Sequence, residues 1–148
     1  MGNTERGYEI LVYDLEGNLK RKIRKKHKPV PLSGEYKEMV KNRYKQAPDL
    51  LSRLDFPKFF PPFQYGFADD EGRLFVMTYE RGAKPGEYLY DIFNPEGAFV
   101  ARKGLPNWGR YGISLWPLFA MARKGRIYCF REKESGFKEI VVYRMIWR

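Results

Sequence analysis

The sequence predicts an all-β chain of repeated antiparallel units, broken once by a helical insertion at about 33–54. Three observations lead there. Short β-rich runs alternate with glycine turns along the chain, and one of these runs recurs. Gly7-Tyr8-Glu9-Ile10-Leu11-Val12-Tyr13 reappears as Gly136-Phe137-Lys138-Glu139-Ile140-Val141-Val142-Tyr143, with a third version in Glu87-Tyr88-Leu89-Tyr90-Asp91-Ile92-Phe93. Recurrence of this kind marks a repeat architecture. Aromatic residues reach 17%, with 11 Tyr and 11 Phe, and large rings suit a pleated surface.

The first hairpin joins Tyr8–Asp14 to Leu19–Arg24 through Leu15-Glu16-Gly17-Asn18. Residues 25–62 then leave the β pattern. Ser33 is placed to cap a helix from Gly34 to about Gln46, on which Tyr36, Met39, Val40, Tyr44 and Ala47 follow the rhythm of one apolar face. Pro48 ends that helix or starts a short second turn holding Leu50, Leu51 and Leu54. The rigid aromatic run Phe56-Pro57-Lys58-Phe59-Phe60-Pro61-Pro62-Phe63 closes the insertion. It reads as the seal of a helix packed over a sheet, or as the wall of a binding site.

Three more hairpins follow. Phe63–Ala68 and Arg73–Glu80 are joined by Asp69-Asp70-Glu71-Gly72, and Tyr88–Asn94 and Ala98–Arg102 by Pro95-Glu96-Gly97. Pro117–Ala122 and Arg126–Arg131 are joined by Arg123-Lys124-Gly125, and Glu139–Trp147 is a last strand. Glycine in each turn supplies the positive φ of a tight reversal.

These hairpins are of two kinds. Val12–Leu19 matches Ile92–Phe99 at a spacing of 80, and Gly72–Val76 matches Gly125–Cys129 at a spacing of 53. With the strands of a unit lettered A to D, the chain reads C-D (7–24), insertion (25–62), A-B-C-D (63–104) and A-B-C (105–148). Four-stranded antiparallel units of this length, set radially, are β-propeller blades. The fold class is therefore a partial β-propeller forming one domain. In Leu19–Arg24, an outermost strand, Leu19, Arg21 and Ile23 are expected to point inward and Lys20, Lys22 and Arg24 outward.

The Val12-Tyr13-Asp14-Leu15-Glu16-Gly17-Asn18-Leu19 hairpin and the Asp69-Asp70-Glu71-Gly72-Arg73-Leu74-Phe75-Val76 hairpin resemble the repeats of bacterial six-bladed, NHL-like β-propellers. The resemblance covers most of residues 7–147. It implies the C-terminal part of a longer, exported bacterial propeller of about 24 strands, whose missing N-terminal region supplies the absent D strand. Loops joining D to A and B to C usually hold the ligands of such proteins. Here those are 25–62, 80–87, 103–116 and 132–137. Within them, Tyr36, Tyr44, Lys58, Arg81, Lys84, Trp108, Arg110 and Tyr111 combine rings and cations suited to recognition.

Other chemistry has little to stand on. His27 is the single histidine and lies among lysines, so a catalytic triad has no base. Cys129 is the single cysteine, which excludes an internal disulfide and a cysteine-rich zinc site; its strand context reads as a small buried hydrophobe. Asp69–Gly72 lacks the alternating ligands of a calcium loop and reads as a β-turn. Glu16 and Glu96 are equivalent turn positions, more simply structural than a catalytic pair. No catalytic residue, cofactor or metal is assigned. The start of the chain has no hydrophobic signal segment, and no apolar run nears the ~20 residues of a membrane helix.

Net charge is +10, with one dense run from Lys20 to Lys28. Such a run can meet phosphates, but on an outermost strand lysines also block edge-to-edge pairing. The expectation is a non-enzymatic binding scaffold for a protein or small ligand. The rivals are an RNA-binding propeller, the remnant of a metal-dependent lactonase or lyase, and self-association through unpaired strand edges at Tyr8–Asp14 and Glu139–Trp147.

Overall fold

The computed structural model describes residues 7–106, 120–133 and 135–147. Among the described residues, nine strands and two short helices follow in the order β1 (Glu9–Tyr13), β2 (Leu19–Arg24), α1 (Gly34–Arg43), α2 (Pro48–Ser52), β3 (Tyr65–Ala68), β4 (Leu74–Arg81), β5 (Glu87–Phe93), β6 (Phe99–Pro106), β7 (Ala120–Arg123), β8 (Arg126–Glu132) and β9 (Lys138–Arg144). They form three antiparallel sheets ordered β1-β2, β3-β4-β5-β6 and β7-β8-β9.

Turn chemistry sets the registers. In three hairpins an Asx carboxylate or amide oxygen accepts a backbone N–H four residues on: Asp14 from Asn18 (2.7 Å), Asp69 from Arg73 (2.8 Å) and Asn94 from Ala98 (2.8 Å). Gly17, Gly72 and Gly97 follow at φ +85°, +78° and +81°. The Asp69–Gly72 segment is thus the β-turn expected of it, with Asp69 committed to Arg73, whose Nε lies 2.7 Å away.

The sheets stack face to face, with the four-stranded sheet in the middle. On one side Val76 and Phe93 pack with Tyr8, Ile23 and Phe63; on the other Phe75, Met77, Tyr90 and Ile92 pack with Ala122, Ile127 and Cys129. The first strands of the second and third sheets lie side by side, bridged in parallel at Asp69 and Ala122. Cys129 is buried as expected, 3% exposed.

Two expectations need correction. On β2, Ile23 is buried and Arg21 half-buried, but Leu19 is 45% exposed. It sits opposite Tyr13, itself 53% exposed, at the point where the ladder shifts register. The helix beginning after Ser33, whose Oγ accepts the Tyr36 N–H, ends at Arg43 rather than Gln46, and of its apolar face only Val40 is buried, with Met39 41% exposed. The insertion is an excursion closed at its neck by hydrogen bonds from Leu32 N–H to Lys58 O and from Phe60 N–H to Val30 O, so its helices meet few neighbours.

Candidate functional site

One end of the sheets carries the connections into which recognition was expected to fall. At that end β4 departs from regular pairing: the ladder is regular to Met77–Tyr90 and resumes at Arg81–Tyr88. Thr78 holds the irregularity, its hydroxyl donating to Leu89 O at 2.9 Å and accepting the Glu80 N–H at 3.2 Å. Bulges of this kind re-aim side chains near the end of a strand. Here the guanidinium of Arg81 lies over the Tyr88 ring, 4.2 Å from its centroid.

The insertion extends the same surface. Phe60 stacks on Tyr79 at 4.2 Å with 13° between planes, and Tyr36 from α1 meets Phe60 edge-on at 5.0 Å. The aromatic row fastens the excursion to the end of β4 while leaving its rings partly open to solvent. Burial, then the neighbouring Tyr36 and Tyr88, pushes the Tyr79 hydroxyl up to about 12, so it remains a proton-bearing donor at neutral pH.

The connection from Gly82 to Gly86 is preformed. Gly82 N–H donates to Glu87 O, and the Glu87 carboxylate accepts the Lys84 N–H at 3.2 Å. A Cβ on Gly104 would come within 2.8 Å of that carboxylate, so glycine there leaves room for it. Lys84 stands exposed at the tip.

The expected site residues divide accordingly. Tyr36 and Arg81 join the aromatic surface and Lys84 lies beside it. Lys58 sits over the Phe59 ring at 5.4 Å. Tyr44 terminates α1, donating its N–H to Val40 O, and among the described residues no ring contact draws it into the row. Trp108, Arg110 and Tyr111 lie outside the described residues. Tyr79 and Tyr88 were not singled out, and Phe60 entered only within the aromatic run 56–63, read as a seal or a binding-site wall. Tyr79 and Tyr88 read as ordinary strand residues, and only the bulge and the returning insertion turn them to one surface.

Beside this surface lies a charged network. Asp91 is fully buried and accepts from Lys25 Nζ (3.0 Å to each oxygen) and from Arg102 Nε (2.7 Å) and Nη2 (3.2 Å). Arg102 also pairs with Glu80 at 3.0 Å. Burial alone would raise the Asp91 carboxyl, but the hydrogen bonds from Arg102 and Lys25 win and hold it below its usual value. The buried Tyr8 hydroxyl is pushed far upward, by burial first and then by the Asp91 charge. A carboxylate so fully engaged is a poor general base; its work is to clamp the end of β2 to β5. An open groove of ≈ 390 Å³, lined by Gly7, Tyr8, Arg24, Lys25, Lys26 and His27, adjoins it. Among the described residues no group of three or more His, Cys, Asp or Glu is placed to hold a metal ion, and no helix is long and apolar enough to cross a membrane.

No protein-family model matches the chain, and no curated protein or solved structure matches it either.

Proposed function

We propose that the chain is a β-propeller-type binding module, without catalysis of its own, that engages a protein or small ligand through the loop end of its sheets. The face-to-face stacking and the parallel approach of β3 and β7 support the radial arrangement, in which first strands line a common axis. The observation that carries the binding reading is the bulge-presented Arg81–Tyr88 pair continued by Tyr79, Phe60 and Tyr36. Rings bury area at low entropic cost, and a guanidinium stacked on a ring keeps its edge free for an anionic or carbonyl acceptor.

The test is selection of displayed peptides against the chain, repeated with Arg81→Ala and Tyr88→Ala. Enriched peptides should lose about tenfold or more in affinity with either substitution, as hot-spot anchors do. Peptides indifferent to both would sink this reading.

A second reading, RNA binding, is favoured by the cationic groove around Lys25–His27 and the net charge of +10. Titration of a fluorescein-labelled oligouridylate decides between them. Phosphate contacts make affinity fall steeply with salt, whereas binding through the aromatic row responds weakly.

A further inference from the structure

The third sheet exposes, on its outward face, the counterparts of residues that form a core elsewhere in the chain. At spacings of 53 and 50, Tyr128 corresponds to Phe75, Ile140 to Tyr90 and Val142 to Ile92. In the middle sheet these three are 1%, 0% and 2% exposed, because the third sheet covers them. Ile140 and Val142 are instead 64% and 50% exposed and Tyr128 is half-buried, with Met121 at 62% on the same face. Exposed apolar side chains that adjoin one another on a sheet face, rather than lying scattered, point to a contact surface.

The complementary half lies at the other end of the stack. Tyr143 and Phe93 are the residues with which the third and second sheets press back on the sheet before them. Their counterpart in the first sheet, at spacings of 130 and 80, is Tyr13, which is 53% exposed, with Leu11 on the same side of β1. One chain therefore carries both halves of an interface that it already builds twice internally.

We propose that two copies of this chain pair head to tail, the outward face of each third sheet (Met121, Ile140, Val142) covering Leu11 and Tyr13 of the other. Two identical contacts then close a ring of six sheets, within the range of 4–8 units typical of radial β assemblies. The faces carry this pairing, so the outer edges of β1 and β9 are not needed for it. The excess positive charge of each copy opposes it, so pairing strengthens with salt.

Sedimentation equilibrium of the intact chain at moderate salt tests the pair. The expected result is a species of twice the 17.6 kDa chain mass. Val142→Lys and Tyr13→Lys, both at exposed positions, should each give monomers that keep the wild-type circular dichroism. An equimolar mixture of the two, which restores one native contact, should recover a dimer. Wild-type monomer at high concentration, or growth past two copies, overturns the closed pair. So does a Tyr13→Lys chain that still dimerises, which would mean that the third sheets meet each other, or a mixture that stays monomeric.

Discussion

Gly17 and Gly97 occupy the same place in equivalent turns, at φ +85° and +81°, yet their surroundings differ. A Cβ on Gly17 meets nothing within 4 Å, while on Gly97 it would come within 2.8 Å of Arg21 Cδ and 2.9 Å of Ile23 Cγ1. Both substitutions to alanine force a left-handed backbone on a residue with a side chain, at a cost of about 1–2 kcal/mol. Gly97→Ala adds overpacking against β2, roughly another 1–3 kcal/mol. Urea unfolding should therefore rank Gly97→Ala well below Gly17→Ala, and equal losses would mean that β2 does not rest on this turn. The turns were legible in the sequence because an Asx residue and a glycine at fixed spacing define them. The contact of Gly97 with β2 was not, because it joins residues 74 and more positions apart that no local pattern relates.

At the scale of elements, the strands were legible nearly throughout, since period-2 patterning and turns bound them on both sides. The middle sheet has its expected A-B-C-D order, with β6 running on to Pro106 beyond the expected Arg102. The insertion was less legible. An apolar face read at helical spacing presumes a partner along its whole length, and α1 buries only Val40. What holds the excursion is its zippered neck and the Tyr36–Phe60–Tyr79 row. The same is true of the candidate site: Arg81 and Tyr36 were readable as loop residues, but Tyr79 and Phe60 needed the bulge and the returning chain. Phe60→Ala removes two ring contacts, each worth about 0.5–1.5 kcal/mol beyond buried area. Amide exchange should quicken across 34–52 while β4 and β5 stay protected. If protection in β4 and β5 falls by the same factor, the excursion is part of the sheet core rather than fastened to it.

At the scale of the whole molecule, the described residues form a stack of three sheets whose two interfaces differ in kind. The contact between the second and third sheets is mostly apolar, whereas the first sheet is held by a smaller cluster and by Lys25 reaching Asp91. That difference makes the first sheet sensitive to acid. Because the folded carboxyl of Asp91 lies below its ordinary value, ionisation stabilises the fold at and above the normal carboxylate range, near pH 4. That stability drains as pH falls toward and through the lower folded pKa, where Asp91 takes up a proton and Lys25 and Arg102 lose their partner. Amides of β1 and β2 should therefore lose protection below about pH 4 before those of β4, β5 and β8. Asp91→Asn should bring the same loss at neutral pH, at a cost of about 3 kcal/mol for cations left without their buried partner, and should flatten the acid response of β1 and β2. Simultaneous loss of protection in all three sheets, unchanged by Asp91→Asn, would show that the stack unfolds as a single unit and that the clamp does not decide the order.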